Sequence, residues 1–275
     1  MKKILLFGST GFIGSQLKDA LTEKDYEVAG PRIEIRNLDE VRETIEKEAP
    51  DYIINATGMT GKPNVDWCED HPIETYTVNV TGSLNIAAAA MEKGIKVAQM
   101  SSGCVYSGDN NGKGWTEEDK PNFFGSMYSR SRVACEMILK DFPNVLQLRI
   151  RIPIMGKSNP KNLIDKMLLY PKMINITNSC TVMEDFVPAA IKLMEMGTTG
   201  IMNMTNQGAM SHKEIMTLYK EIVDPSFEMN FMEEEEQETL CKRRSNDVLN
   251  TDKRESLGIH MPPLEESLRM ILANY

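Results

Sequence analysis

An α/β fold, with a Rossmann-type doubly wound parallel sheet and a smaller C-terminal substrate domain, follows from three observations. Short β-branched runs alternate with helical patterns through the first half of the chain, the alternation that lays helices on both faces of a parallel sheet. A glycine-rich turn, Gly8-Ser9-Thr10-Gly11-Phe12-Ile13-Gly14, closes the first apolar run and opens the first helical pattern. Beyond Pro153 the alternation becomes irregular, interrupted by Pro160, Pro171, Pro188, Pro225, Pro262 and Pro263.

Taken in order, Lys3 to Phe7 reads as the first strand and Ile13 to Lys24 as the first helix. Glu27 to Ala29 is a short second strand, closed by Gly30-Pro31. Leu38 to Lys47 has helical spacing, with Asn37 or Asp39 as its cap. Tyr52 to Ala56 is the third strand. Thr75 to Lys93 holds four consecutive alanines, strong helix formers, and Gly94 stops it. Ile95 to Met100 is the fourth strand, ending where Ser101 and Ser102 begin. A helix from about Ser126 to Lys140 and a strand from Val145 to Ile152 complete this half. The expected organisation is a nucleotide-binding domain over residues 1–152, rejoined by about 180–205, with residues 153–275 mainly a substrate-binding domain.

A chain of 275 residues can bury a substantial core. Its formal net charge of −9 argues against nucleic acid as a partner. The acidic run Glu233 to Glu236, followed by Lys242-Arg243-Arg244, reads as solvated helix face and loop. The apolar stretches fall short of the roughly 20 residues needed to cross a bilayer, and Ile4 to Phe7 is too short for a signal-peptide core. Five cysteines without a C-x-x-C pair fit a reducing cytoplasm. Three scattered histidines suggest no metal site. The twenty methionines are read as flexible core filler.

The glycine turn lies between strand and helix, where its backbone can approach a pyrophosphate seated on the positive end of the helix. Gly8, Thr10, Gly11, Phe12, Ile13 and Gly14 are therefore expected to cradle a dinucleotide. After the second strand, where an acidic residue would select NAD, the chain has Arg32 and Arg36. Their planar forks suit a 2′-phosphate, so NADPH is the expected cofactor; ordinary loop charge is the alternative. Asn55, Ala56 and Thr57 are expected to wall the adenine and pyrophosphate, while Asn79 fits a structural role equally well.

Ser102 at a strand end and Tyr128 with Arg132 one helical turn later describe carbonyl reduction. Tyrosine gives a proton to the developing alkoxide, a nearby cation favours that transfer and holds the nicotinamide ribose, and serine supplies a second hydrogen bond. Cys104 adds a group a plain reductase does not need. Carbons flanking a ketone are acidic, so a thiolate or amine beside them can remove a proton from one face and return it from the other. Lys166 is the candidate partner base; an inert buried cysteine and a surface lysine are the alternatives.

These residues resemble the extended short-chain dehydrogenase/reductases, and more closely the nucleotide-rhamnose synthase epimerase-reductases of plants and some large viruses, related to dTDP-4-dehydrorhamnose reductase. The resemblance spans Thr60 to Glu69, Pro121-Asn122-Phe123, Leu148 to Ile154, Ser158-Asn159-Pro160, Thr205 to Gly208, Ser211 to Ile215 and Arg244-Ser245-Asn246. Enzymes of this branch convert UDP-4-keto-6-deoxy-glucose to UDP-rhamnose by 3,5-epimerisation and NADPH-dependent 4-reduction. The resemblance implies reductase positions for Ser102 and Tyr128, epimerase positions for Cys104 and Lys166, and sugar or nucleotide contacts at Asn64, Asp66, Trp67, Asn162 and Arg244. It departs at Arg132, where the family has lysine. A reductase acting alone and an NADP(H)-binding regulatory protein remain as alternatives. A nucleotide-sugar is the expected substrate, and a homodimer the expected assembly.

Overall fold

The strands at the centre of the sheet are mainly apolar and almost wholly buried because helices cover both of its faces. The computed structural model describes residues 2–275. Strand β1 (Lys3–Phe7) leads into α1 (Phe12–Glu23), and β2 (Glu27–Ala29) into α2 (Leu38–Glu48). After β3 (Tyr52–Asn55) come the short α3 (Trp67–Asp70) and α4 (Pro72–Tyr76), a π-helical turn (Thr77–Gly82), α5 (Ser83–Glu92) and β4 (Lys96–Ser102). Helix α6 (Met127–Leu139) precedes β5 (Val145–Ile150), β6 (Pro153–Ile154) and α7 (Leu163–Leu169). The remainder runs through β7 (Thr177–Asn178), β8 (Thr181–Val182), α8 (Met183–Glu195), β9 (Gly200–Asn203) and β10 (Met210–Ser211). It ends in α9 (His212–Ile222), α10 (Glu234–Cys241), α11 (Asp252–Ser256) and α12 (Leu264–Leu272).

Six parallel strands form the central sheet in the order β2-β1-β3-β4-β5-β9. Strand order reverses between β1 and β3, and the crevice outside the carboxyl ends of such a pair is where α/β sheets bind ligands. The glycine turn leaves β1 there, and Asn55 to Gly58 leave β3 beside it. On one face Leu17 and Leu21 pack with Phe186, Ala190 and Leu193; on the other, Val41, Ile45, Ile86, Ala90 and Leu139 form a second core. Each buried leucine, isoleucine, valine or phenylalanine among them contributes roughly 1.5–3 kcal/mol of apolar transfer. A third cluster, with Ile154, Ile164, Met167, Ile215 and Leu268 among its members, joins α7, α9 and α12 away from the sheet.

Several boundaries differ from the sequence expectation. The helix expected from Thr75 is already helical at Pro72, whose missing N–H suits a first turn, and it is interrupted by the π-helical turn. Short α3 had no periodicity to reveal it. Ser101 and Ser102 lie inside β4 rather than beyond it, because Arg149 and Ile150 continue the pairing opposite them. Strand β5 stops at Ile150, and Ile152 has φ +39°, which breaks extension. Asn37, not Asp39, caps α2, accepting from the Asp39 and Glu40 amides. The acidic run begins α10, none of whose residues is buried. Among the described residues no helix is long and apolar enough to cross a membrane.

Candidate active site

The glycine turn is pressed against the backbone that follows β3. Gly8 has φ +80°, and a β-carbon on it would lie 2.8 Å from the Ala56 carbonyl and 2.9 Å from the Thr57 nitrogen. One on Gly14 would lie 2.1 Å from the Gly8 oxygen, to which the Gly11 amide donates at 2.9 Å. The first turn of α1 has neither an acidic residue nor a side-chain cap, so its amides are available to an anion. Thr10 is exposed at the turn, while Phe12 and Ile13 pack toward the core. Buried Asn55 shapes the opposite wall: its Oδ1 accepts from the Thr57 amide at 3.0 Å, and its Nδ2 donates to Gln99 at 2.8 Å. These features fit a dinucleotide pyrophosphate. Arg36 departs from expectation, since the Glu34 carboxylate already occupies its fork. Arg32 is exposed at the exit of β2.

Helix α6 begins at a Ser126 cap, whose Oγ accepts from the Ser129 amide at 3.1 Å. Its first turns bring Tyr128 and Arg132 onto one face, as residues four apart must be. Arg132 Nε donates to the Tyr128 hydroxyl at 3.2 Å, and the guanidinium carbon stands 5.3 Å from the ring centroid. Burial opposes its charge, but Tyr128, Cys135 and Cys104 more than compensate and hold the guanidinium above its usual range. The side chain runs beneath Gly58, where a β-carbon would lie 2.8 Å from its Nη2. Asn79, on the π-helical turn, binds both backbone groups of Met59 and donates to Ser131 at 3.0 Å. Its role is structural: it pins the Gly58 loop to α6.

Cys104, Tyr128 and Lys166 open into one cavity of about 680 Å³ between the sheet ends and the C-terminal segments. Ser102 lies just behind and accepts from the Cys104 amide at 3.1 Å, leaving its own O–H to donate. Lys166 is half-buried on α7; burial, and then the charge of Lys161, hold its ammonium below the usual lysine range. Arg244 bridges the mouth, donating to Asp66 at 2.6 Å and Asn64 at 3.3 Å.

Two expected substrate contacts are corrected. Trp67 does not line the cavity; its indole stacks on His71 with centroids 3.6 Å apart. Asn162 is fully buried, its amide held by Met155, Lys157 and Tyr275, so it supports the entrance of α7 instead.

The lining also contains cations that sequence reasoning missed: Arg151, Lys161, Lys172 and Arg243. Arg151 is only 2% exposed and donates to Cys104 Sγ at 3.1 Å. Two arginines, Arg149 near the end of β5 and Arg151 just beyond it, were the available signal, because buried arginine is rare without a partner. Arg149 has its partner in Glu136, at 2.7 Å. Arg151 approaches Asp247 at 3.1 Å, but neither its Nε nor the carboxylate oxygens make an aligned hydrogen bond. Burial accordingly pushes the Asp247 carboxyl up to about 7 against the pull of Arg151.

A family model described as the RmlD substrate binding domain matches residues 1–275. A bifunctional dTDP-4-dehydrorhamnose 3,5-epimerase/dTDP-4-dehydrorhamnose reductase of Arabidopsis thaliana is 36% identical over 271 residues, covering 96% of this chain and 90% of that protein. A trifunctional UDP-glucose 4,6-dehydratase/3,5-epimerase/reductase of the same plant is 38% identical, but the chain spans 41% of its length. The crystal structure of the L780 UDP-rhamnose synthase from Acanthamoeba polyphaga mimivirus superposes with a TM-score of 0.95 at 34% identity, covering 100% of this chain and 99% of that one. Matched from one end to the other, and folded like the mimivirus enzyme throughout, the chain belongs to the RmlD substrate-binding-domain family.

Proposed function

We propose that this chain is an NADPH-dependent enzyme that epimerises a nucleotide-4-keto-6-deoxy-glucose at C3 and C5 and reduces it at C4, yielding a nucleotide-L-rhamnose, with UDP as the nucleotide. The observation carrying this reading is the opening of Tyr128, Cys104 and Lys166 into one cavity, with Arg132 on the tyrosine hydroxyl. Bound NADPH would supply the hydride. Tyr128 gives its proton to the ketone oxygen, and Arg132 steadies the phenolate left behind. Ser102 supplies the second hydrogen bond to the same oxygen.

Cys104 and Lys166 move protons at the two carbons flanking the ketone. An amine held below its ordinary range is better suited to accept a proton near neutral pH. Lys161, Lys172, Arg243 and Arg244 face the cavity where a diphosphate needs compensating charge. The 36–38% identity to plant enzymes whose names include both activities supports pairing the two steps. The contact between Arg132 and Tyr128 weighs against a regulatory protein that has lost its chemistry.

The test follows both steps in the same samples: exchange of sugar C3 and C5 protons with deuterated water by NMR, and NADPH oxidation by absorbance. Cys104→Ser is expected to suppress exchange while retaining NADPH binding. Tyr128→Phe is expected to retain exchange and lower oxidation about 100-fold or more. Undiminished exchange at both carbons in Cys104→Ser would leave a reductase alone.

A further inference from the structure

Arg151 is fastened through both of its terminal nitrogens. Its Nη2 donates to the Ser245 carbonyl at 2.6 Å and to Asn178, and its Nη1 to Ser245 Oγ at 2.9 Å. The remaining contact of Nη1 is Cys104 Sγ at 3.1 Å, at the cavity wall. A guanidinium held this way cannot swing aside when the sulfur changes charge. We propose that Arg151 is the positioning residue of Cys104, orienting the sulfur toward the cavity and stabilising the negative charge it bears once its proton has gone. The proposal rests on the reading of Cys104 as a proton-transfer group.

A hydrogen bond from a fixed cation strengthens as its acceptor becomes anionic, and cationic surroundings are what distinguish reactive cysteines from inert ones. Asp247, the counter-charge of Arg151, lies nearest its Nε at 3.1 Å, whereas the sulfur is met by Nη1, so the N–H that the sulfur accepts is not one the carboxylate takes. Burial opposes charge on Arg151, but Asp247 and then Cys104 more than compensate and hold it above its usual range. Arg132 on α6 is a second cation whose charge acts on Cys104, and Tyr128 on α6, Lys166 on α7 and His212 on α9 line the same cavity. Of the cations, Arg151 is the one with a hydrogen bond to the sulfur.

The test is the pH profile of Cys104 alkylation by iodoacetamide, read by mass spectrometry on the Cys104 peptide of the full chain without substrate. Arg151→Gln is expected to move the midpoint up by about one pH unit, slowing alkylation near neutral pH about tenfold with recovery at high pH. An unchanged midpoint overturns the proposal. Should that variant fold poorly, Arg151→Met with Asp247→Asn removes both buried charges together, which avoids an orphaned carboxylate. Its midpoint is expected to lie above that of Asp247→Asn alone, and equal midpoints in the two again count against Arg151. NADPH binding serves as the folding control in each case. Because alkylation needs no sugar, the two readings separate. A raised midpoint combined with unimpaired C3 and C5 exchange in Cys104→Ser keeps the arginine's role and removes Cys104 from epimerisation. An unmoved midpoint with exchange lost in Cys104→Ser does the reverse.

Discussion

Arg132 meets the Tyr128 hydroxyl through Nε at 3.2 Å, with the rest of its fork extending beneath Gly58. A cation thus sits on the tyrosine despite the change from lysine, and its length is absorbed by a residue without a side chain. Arg132→Ala is expected to lower the reduction rate about 100-fold, whereas Arg132→Lys should retain most of it; NADPH oxidation under single-turnover conditions measures both. Arg130, two residues away, is spent on Glu69 and the Phe124 carbonyl and offers no substitute. Two buried groups near the cavity oppose one another in pH. Burial lifts Asp247 from 3.8 to about 7, so its contribution to stability is full below about pH 4 and lost as pH rises through about 7. Burial, and then Arg151, lower His212 from 6.5 to about 4, so its contribution is full above pH 6.5 and lost as pH falls through about 4. Acidification through the shared window therefore pulls stability both ways. His212→Gln should gain stability relative to the parent as pH falls from 6.5 to 4, and Asp247→Asn should lose it. Urea unfolding at several pH values checks this, and profiles parallel to the parent's would contradict it. At this scale strand–turn–helix context singled out Ser102, Cys104, Tyr128 and Arg132 in the sequence, whereas Lys166 stood out only through the family resemblance; Cys104, Tyr128 and Lys166 share one cavity. Arg151 was not legible: nothing in one dimension says that an arginine just past a strand ends on a cysteine 47 positions earlier. Trp67 and Asn162 misled for the converse reason, since a residue's place in a motif does not reveal which way its side chain turns.

Helix α7 carries Lys166 and is seven residues long, too short to be stable by itself. Its order comes from its ends. Asn162 ties the entrance to Met155 and Lys157, and Asp165 accepts from Ser158, the Asn159 amide and the Tyr275 hydroxyl. Tyr275 also accepts from Asn162 at 3.0 Å, so one phenol at the far end of the chain braces the residue preceding Lys166. Tyr275→Phe removes that brace without removing the ring. It is expected to cost about 1 kcal/mol and to slow C3 and C5 proton exchange while leaving NADPH affinity as in the parent; fluorescence titration beside NMR exchange tests the split. The regular elements of the first half were readable because periodicity and turn residues agree there. The π-helical turn at Thr77–Gly82 was not, since Asn79 is drawn aside by Met59, a partner 20 positions away.

Across the whole molecule the charge is −9, yet the cavity gathers Arg151, Lys161, Lys166, Lys172, Arg243 and Arg244. A cationic recess in an anionic body focuses its field on an incoming anion and repels it elsewhere. Raising ionic strength from ~10 to ~150 mM shrinks the screening length from about 30 to 8 Å. KM for the nucleotide-sugar should accordingly rise several-fold with little change in kcat. A salt-independent KM would place the diphosphate away from these cations. The parallel sheet and its glycine turn were legible from local sequence. The cavity was not, because its walls come from segments as far apart as Asn64 and Asn246.

The order of the sheet has a consequence for how such proteins can be recombined. After β5 the chain leaves to build β6, α7, β7 and β8 around the cavity, then returns as β9 to pair with β5 from Leu146↔Gly200 to Arg149↔Asn203, and departs again. A single crossover near residue 152 would therefore graft one parent's edge strand onto another's sheet and split the Leu17–Phe186 core between two ancestries. Exchanging sugar specificity between relatives by gene splicing calls for two inserts, one on each side of α8 and β9, with that returning segment left in the company of its native sheet.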